Sequence, residues 1–355
     1  MIRRFIGQLA FLGFSLIASI ALIEAGSRFL FPEWAPVSSD RNFWHYDPLL
    51  GWSGLPEASG RMEFIDFSVD VTLNSAGLRD IEYPAKKTPG RQRILLLGDS
   101  FGWGFGVEQE EIFAEVIEAR NKNVEIINAS VSGYGTDQEY LYYLHRGHRY
   151  RADVVILLFF GGNDFANSAS AVQYWHNKPL FSVSSDGLDL LGVPVPELSW
   201  TQRIASYVSG NTYFLRHVSS SVRAWRDRPL PAAQGPGKAD TQQRSTQVSP
   251  AALAPDEERV VRLLLALNQA VQENGARLIV AYIPGQRDIF KSPRLSTTDI
   301  GFLSLAGVFQ GSEGKKTFEH DPHWTPSGHR TIAETVENYL RALGVLVPTE
   351  PHHRP

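Results

Sequence analysis

The sequence predicts an α/β protein in which a parallel sheet lies between two layers of helices. Short, continuous apolar runs such as residues 94–97 and 154–160 are typical of strands that are covered on both faces. Amphipathic segments with a helical period alternate with these runs along the chain. Because such strand–helix alternation produces a parallel sheet with right-handed crossovers, we expect a three-layer α/β/α sandwich.

The composition excludes several classes of protein. Hydrophobic residues make up 43% of the 355 residues, which is enough for a sizeable globular core. Lys and Arg number 34 against 38 Asp and Glu, so the chain lacks the basic excess that indicates nucleic acid as a partner. It contains no Cys, which excludes disulfides, thiolate metal sites and a cysteine nucleophile.

The N-terminus predicts a membrane segment. Arg3 and Arg4 precede an apolar run over residues 5–23, and about 20 helical residues cross the ~30 Å hydrocarbon layer of a bilayer. The two arginines favour a cytoplasmic N-terminus, with the rest of the chain on the periplasmic or extracellular side. We interpret residues 1–32 as a single-pass anchor in the inner or plasma membrane. A signal peptide cleaved near residues 19–21 is the alternative, and it also implies export.

The remaining chain divides into a leader and a main domain. Residues 33–90 are rich in Pro, Gly and aromatic residues, and alternation over residues 64–71 predicts strands there. The regular pattern of the main domain covers residues 91–345 and is interrupted by an insertion over residues 165–255. Within the insertion, residues 229–255 are rich in Ala, Pro, Gln, Ser and Thr, a composition that indicates a disordered loop.

The elements of the main domain follow one another in a regular order. Helices are expected from about Gln109, from Thr136, which forms a capping box with Glu139, and from Thr325, with Pro326 as its first residue. Another amphipathic helix is expected over residues 256–274. The predicted strands are residues 94–97, 124–127, 154–160, 278–283 and a short one within 302–309.

Polar residues follow the predicted strands at the edge of the sheet where ligands bind in open α/β folds. A serine hydroxyl is a weak nucleophile until a neighbouring imidazole accepts its proton, and that imidazole needs a carboxylate to fix its tautomer. We therefore expect Ser100 to be a nucleophile, His323 its general base and Asp321 the acid. The strand-end residues are Gly98-Asp99-Ser100, Gly133 and Asn163-Asp164, with Asp321 and His323 before the last helix.

The same residues offer hydrogen-bond donors for an oxyanion. Attack on an ester carbonyl places negative charge on its oxygen, and removal of one preorganised donor typically slows such a reaction by ~10²–10³. The backbone N–H groups of Ser100 and Gly133 and the side-chain amide of Asn163 are the candidates. This chemistry requires no metal and no cofactor, and we expect neither.

These motifs resemble the four blocks of the SGNH (GDSL) hydrolase superfamily, over roughly residues 91–165 and 256–343. The resemblance implies a flavodoxin-like sandwich in which the block residues are the nucleophile, two further oxyanion donors and the general base. In chain order they are Ser100, Gly133, Asn163 and His323.

The last block departs from the commonest pattern of the superfamily. That pattern is DxxH, and in this chain His320 stands where its acid would be. The Asp-x-His-Trp form of this chain resembles the polysaccharide O-acetyltransferase branch instead. Asp321 is therefore chosen as the acid on chemical grounds and not on an exact match.

Two alternatives remain for these motifs. Residues 98–102 also satisfy the G-x-S-x-G nucleophile elbow of α/β-hydrolases, although that serine normally follows several strands. A metal cluster is the other alternative, and no further cluster of ligands completes it. Its members would be His320, Asp321, His323 and His329.

The leading hypothesis is an exported, membrane-anchored serine esterase or acyltransferase that acts on O-acyl groups of a surface glycan. Acetyl is the acyl group that the resemblance favours, and Ser100 would carry the acyl-enzyme. A lipase or lysophospholipase is the second hypothesis, because the anchor would hold the enzyme beside lipid. The third is a carbohydrate-binding protein without catalysis. The sequence leaves open whether water or a sugar hydroxyl receives the acyl group, and it identifies no protein partner.

Overall fold

The computed structural model describes residues 2–346 except for residues 85, 186, 216, 219–253, 286 and 288–291. The loop expected over residues 229–255 falls outside the described residues except for its last two, where a helix begins. Contacts divide the chain into two units. One comprises residues 1–36 and 207–254, and the other comprises residues 37–206 and 255–355.

The first unit contains the long apolar helix α1 (Ile2–Leu30). Its stretch Arg4–Leu30 is long and apolar enough to cross a membrane, with a mean hydropathy of 2.1 and none of its most apolar window buried. A signal sequence has the same properties. Near the end of α1, the carboxylate of Glu24 accepts hydrogen bonds from the backbone N–H groups of Tyr213 and Phe214.

The second unit begins with a leader made of short antiparallel strands. Strand β1 pairs with β4, β4 pairs with β5, and β2 pairs with β3. Each of the last two pairs is a hairpin. Buried and exposed residues alternate along β5, so one face of that strand is buried. The strands are β1 (Ser38–Ser39), β2 (Trp44–Asp47), β3 (Gly51–Gly54), β4 (Ser59–Phe64) and β5 (Phe67–Thr72).

Strands and helices then alternate, and small hairpins follow the third long strand. Short 3₁₀ turns occupy residues 32–34, 109–111 and 147–150. The first elements are β6 (Gln92–Gly98), α2 (Ser100–Trp103), α3 (Phe113–Arg120), β7 (Val124–Asn128), α4 (Thr136–His145), β8 (Val154–Phe160) and α5 (Asp164–Ser168). Next come β9 (Val172–Gln173), β10 (His176–Asn177), β11 (Leu180–Val183), β12 (Leu188–Leu191) and α6 (Trp200–Asn211). The last are α7 (Pro255–Glu273), β13 (Arg277–Ile283), α8 (Pro293–Ser296), β14 (Gly301–Ser304) and α9 (Pro326–Ala342).

The central sheet has the order β7-β6-β8-β13-β14, and all its neighbouring strands are parallel. Numbered by position along the chain, this is the order 2-1-3-4-5 of the flavodoxin-like doubly wound fold. The expected parallel sheet and α/β/α sandwich are therefore confirmed. The strand order reverses beside β6, and the carboxyl ends of β6, β7 and β8 lie next to one another.

Alternate residues of each central strand face opposite helix layers. Ile94 and Leu96 of β6 belong to one buried cluster with Phe113 of α3 and Ile332 and Val336 of α9. On the other face, α7 packs against α4 and β13. Because side chains alternate along a strand, continuous apolar runs supply both faces at once. The core therefore holds the strand ends, and the loops that follow them, in fixed positions.

Two helix starts differ from the sequence-based prediction. The helix expected from Gln109 begins at Phe113, because Ile112 has extended backbone angles and the preceding residues form a 3₁₀ turn. Helix α4 begins at Thr136 as expected, but its N-cap is Gly135, so Thr136 and Glu139 do not form the predicted box. Thr325 and Pro326 do start the last helix, where the Thr325 hydroxyl accepts a hydrogen bond from an N–H of the first turn.

Candidate active site

Ser100 lies at the reversal point of the sheet, directly beyond the carboxyl end of β6. It is the first residue of the short helix α2, and Asp99 is the N-cap, whose carboxylate accepts a hydrogen bond of 3.0 Å from the N–H of Phe101. The cap fixes the sharp turn between strand and helix. The hydroxyl of Ser100 therefore projects from a rigid part of the backbone.

The structure brings Ser100, His323 and Asp321 into one hydrogen-bonded chain. Nε2 of His323 lies 2.6 Å from Oγ of Ser100, and Nδ1 of His323 is hydrogen-bonded to the carboxylate of Asp321. The same carboxylate oxygen accepts the backbone N–H of His323 at 2.9 Å. Since a carboxylate binds the protonated ring nitrogen, Nε2 is left to accept a hydrogen bond from the Ser100 hydroxyl.

Aromatic rings fix the plane of the His323 imidazole. Its centroid lies 4.6 Å from that of Phe101 and 4.5 Å from that of Phe105, so both rings pack against it. Only 15% of the His323 side chain is exposed. Both ring nitrogens still make hydrogen bonds, to Asp321 and to Ser100.

The backbone donors expected for an oxyanion border the same cleft as the serine. Ser100, Gly133 and His323 all line this cleft. In the part of the chain that the structure describes, neither the N–H of Ser100 nor that of Gly133 has an acceptor. Gly133 has φ +84°, in the left-handed region that glycine adopts most easily.

Asn163 is connected to the helix that begins with Ser100 through Asp99. Its side-chain nitrogen donates a hydrogen bond of 2.9 Å to the carboxylate of Asp99, the residue directly before Ser100. The two hydrogen atoms of an amide nitrogen allow it to donate to Asp99 and to one further acceptor. Asp99 thus contacts both the backbone of α2 and the amide expected to stabilise an oxyanion.

Several carboxyl groups are buried beside this connection. Burial raises the pKa of Asp99, against the opposing effects of the Asn163 and Phe101 hydrogen bonds and the His323 charge. Burial and nearby carboxylates raise the pKa values of Glu139 and Asp164 well above their usual range. Both effects disfavour the charged form, and therefore protonation is favoured at these two positions.

His320 and His329 have separate structural roles. Nδ1 of His320 lies 2.9 Å from the carboxylate of Asp66, at the tip of the β4–β5 hairpin. His329 is fully buried and accepts a hydrogen bond from the N–H of Phe113, and burial lowers its pKa to about 3. Within the described ranges, no group of three or more His, Asp or Glu residues is placed to hold a metal ion.

The sequence did not predict that the leader contacts the loop carrying His323. The ring of Phe67 lies 5.3 Å from that of Phe318 and 5.5 Å from that of Phe105. The N–H of Phe318 in turn donates to the carbonyl of His323. Alternation over residues 64–71 was a signal for strands, but it could not indicate which surface these strands cover.

The leader and the insertion also form the walls of the cleft, whose volume is about 790 Å³. The cleft combines aromatic rings with polar side chains that both donate and accept hydrogen bonds. The aromatic lining residues are Trp44, Tyr46, Trp52, Phe105 and Tyr174. Polar lining residues include Asn42, His45, His176, Asn177, Glu197 and Arg203.

Comparison with known proteins gives one match to a family. The sequence model of the GDSL-like lipase/acylhydrolase family matches residues 96–331, which include all the residues of the hydrogen-bonded chain. The comparison with curated proteins found no match.

Several solved structures have a similar arrangement at low identity. One is a lipolytic protein of the G-D-S-L family from Desulfitobacterium hafniense, with 12% identity, a TM-score of 0.40, and coverage of 70% of this chain and 100% of that one. A psychrotrophic esterase from Pseudoalteromonas has 13% identity and a TM-score of 0.39, covering 71% and 98%. An acetyl xylan esterase has 12% identity and a TM-score of 0.36, covering 69% and 98%. At these values the structures support no functional conclusion.

Proposed function

Because the chain belongs to the GDSL-like lipase/acylhydrolase family, and is therefore an enzyme of ester chemistry, we propose that Ser100 is its nucleophile. His323 is the general base and Asp321 the acid that orients it. The family match confirms the resemblance inferred from the sequence blocks. The observation that carries the assignment of roles is the hydrogen-bonded chain from Ser100 Oγ through His323 to Asp321.

The first half-reaction transfers an acyl group to the enzyme. Oγ of Ser100 forms a bond to the ester carbonyl carbon while its proton passes to Nε2 of His323. The carbonyl electron pair moves to oxygen, and the N–H groups of Ser100, Gly133 and Asn163 stabilise the resulting oxyanion. When the oxyanion collapses, the bond to the leaving oxygen breaks and His323 returns the proton to that oxygen.

The second half-reaction removes the acyl group from Ser100. A hydroxyl compound loses its proton to His323 and attacks the acyl carbon, and the bond from that carbon to Oγ then breaks. Oγ regains the proton from His323. Water as the attacking group gives an esterase, and a sugar hydroxyl gives an acyltransferase. The same residues perform both reactions, which differ only in the acceptor.

The proposed substrates are O-acyl groups, chiefly acetyl, on a polysaccharide or another surface glycan. The cleft supports this proposal, since its aromatic rings offer flat apolar faces and its polar side chains offer hydrogen bonds around them. A sugar ring presents the matching chemistry, with C–H faces and hydroxyl edges. The Asp-x-His-Trp form of residues 321–324 is a second support, through its resemblance to the O-acetyltransferase branch.

The proposed location is the outer side of the inner or plasma membrane. Residues 1–32 form the anchor, residues 33–90 the leader, and residues 91–345 the catalytic domain with its insertion at 165–255. The length and hydropathy of α1 support the anchor, and Arg3 and Arg4 support the orientation.

The experiment uses the full chain in detergent micelles with p-nitrophenyl acetate. We expect release of p-nitrophenol by the unaltered protein and its loss in Ser100→Ala. A matched control is Ser312→Ala, an exposed serine, which should leave the rate unchanged. Undiminished release by Ser100→Ala would contradict the assignment. A preference for long acyl chains over acetyl would favour a lipase instead.

A further inference from the structure

The turn between β9 and β10 has an unusual backbone for its residues. Gln173 pairs with His176, so Tyr174 and Trp175 alone form the turn. Their φ angles are 48° and 66°, both in the left-handed region. A two-residue hairpin of this type normally contains Asn-Gly or a similar pair, because side chains make a positive φ unfavourable. Two consecutive aromatic residues are therefore held here against their backbone preference.

This conformation places the Tyr174 ring against the oxyanion glycine. A Cβ built on Gly133 would lie 2.8 Å from Cε2 of Tyr174 and 3.5 Å from the Trp52 ring, so both rings touch this glycine. Trp52 is itself fixed there, since its indole N–H donates to the carbonyl of Ser132 at 3.1 Å. Backbone strain that persists in a fold is commonly found where it positions a functional group.

The turn is supported from both sides. The side-chain amide of Gln173 donates to Asn167 at 2.5 Å, and the ring of His176 lies 5.7 Å from that of Trp52. Tyr174 lines the cleft together with Ser100 and His323, whereas Trp175, its neighbour in the turn, is not among the residues described as lining it. The two turn residues therefore share a backbone conformation but differ in their access to the site.

The chemistry of the tetrahedral intermediate indicates which part of a substrate faces Tyr174. The attacked carbon has four substituents. One is Oγ of Ser100, and a second is the oxyanion, which faces the hydrogen-bond donors that include the N–H of Gly133. The leaving oxygen must face Nε2 of His323 to receive its proton. The acyl substituent is the remaining group, so it points away from His323. It starts at a carbon that the oxyanion donors hold beside Gly133, the glycine that the Tyr174 ring contacts.

We propose that the Tyr174 ring is the wall that limits the acyl group of the substrate to short chains such as acetyl. This proposal rests on the proposed function, because it takes Ser100 as the nucleophile and Gly133 as an oxyanion donor. The ring occupies the space that the third and later carbon atoms of a longer acyl chain would need. Tyr174 is accordingly a residue that determines specificity and takes no part in proton transfer.

The test compares Tyr174→Gly with Trp175→Gly in the full chain in detergent micelles. Glycine accepts the positive φ at either position, so both variants relieve the same kind of strain and should fold. The assay measures kcat/KM for p-nitrophenyl acetate, butanoate and hexanoate. A hydrophobic wall typically discriminates one methylene by about 10- to 200-fold. We expect the butanoate-to-acetate ratio to rise by at least about tenfold in Tyr174→Gly and to stay unchanged in Trp175→Gly.

Further variants separate the possible outcomes. Tyr174→Phe keeps the ring and should keep the original chain-length profile. If Tyr174→Gly does not fold, Tyr174→Asn provides the same comparison, because Asn also tolerates this φ. An unchanged profile in a folded, active variant without the ring would overturn the proposal. Failure of the proposed function would give a different result, namely undiminished ester cleavage by Ser100→Ala.

Discussion

The side-chain amide of Asn163 donates a hydrogen bond of 2.9 Å to the carboxylate of Asp99, which also caps the helix that begins with Ser100. The buried carboxylate of Asp99 thus connects Ser100 to a proposed oxyanion donor, Asn163, which lies 64 residues after Asp99 along the chain. Asp99 touches no reacting atom in the proposed mechanism, and we regard it as a positioning residue. Its replacement should therefore affect the transition state more than substrate binding.

The variant Asp99→Asn tests this positioning role. An amide of the same shape can keep the bond to Phe101, but it presents a donor where Asn163 needs an acceptor. We expect kcat to fall by about 10- to 10²-fold with KM little changed, which is less than the loss of a whole oxyanion donor. The neutral amide avoids the burial of charge that raises the pKa of Asp99, which offsets the cost of the unpaired Asn163 amide, so the melting temperature should change little. A fall in stability without a fall in kcat would contradict the role.

A second prediction concerns Asp321. Its hydrogen bonds to Nδ1 and to the backbone N–H of His323 fix both the tautomer and the position of the ring. Asp321→Asn should lower kcat by about 10²- to 10⁴-fold, since the wrong tautomer no longer accepts the serine proton. The double variant with His323→Ala should be no slower than His323→Ala alone, because the residues act as a unit. Additive losses in steady-state kinetics would contradict the proposed triad.

A third prediction concerns the contact between the leader and the loop carrying His323. His320 donates its backbone N–H to Asp66 at 2.8 Å, in addition to the side-chain pair. Asp66→Asn should lower kcat for p-nitrophenyl acetate by about 2- to 10-fold through misplacement of His323, consistent with the loss of about one net hydrogen bond. Glu319→Gln is the matched control, because its ion pair with Lys315 lies on the same loop but is exposed. An equal fall in kcat in Asp66→Asn and Glu319→Gln would rule out a specific positioning role for Asp66.

These contacts show what could be predicted from the sequence. Ser100, Gly133 and Asn163 could be associated with one another because parallel strands end at one edge, so the residues following neighbouring strands lie close together. The contact between Asp66 and His320 could not be predicted in this way. It joins residues 254 positions apart and depends on how a hairpin docks, which the period of a strand does not indicate.

Glu139 illustrates the other limit of sequence patterns. Its spacing from Thr136 fits a capping box, in which a glutamate is normally solvated near a helix N-terminus. Among the residues that the structure describes, its buried carboxyl group has no hydrogen-bond partner, and the start of α4 packs against α5. Whether the N-terminus of a helix is buried depends on tertiary packing. The spacing of Thr136 and Glu139 along the chain is the same whether the glutamate is buried or not.

The buried Glu139 gives a prediction for the dependence of stability on pH. A raised pKa in the folded state means that the folded protein binds more protons than the unfolded one, so stability is fully present at low pH. It falls as the pH rises from the unfolded pKa towards the folded one. Glu139→Gln removes this loss, so its melting temperature should exceed that of the unaltered protein at about pH 8 and match it near about pH 4.5.

Scanning calorimetry or a thermal-shift assay at the two pH values measures this difference. Glu313→Gln is the control, since it removes one carboxyl group at an exposed position and should leave the pH dependence as it was. A Glu139→Gln variant that is equally destabilised at both pH values would show that folding does not raise the pKa of this carboxyl group, and would contradict the prediction.

The most direct test of the central claim is the position of a covalent adduct formed by a fluorophosphonate probe on the full chain in detergent micelles. Such a probe reacts with a serine only when a neighbouring base activates it. Peptide mass spectrometry should find a single adduct on Ser100, absent in Ser100→Ala and formed far more slowly in His323→Ala. A folded protein that remains unlabelled, or an adduct on another residue with Ser100 unmodified, would contradict the assignment of Ser100 as the nucleophile.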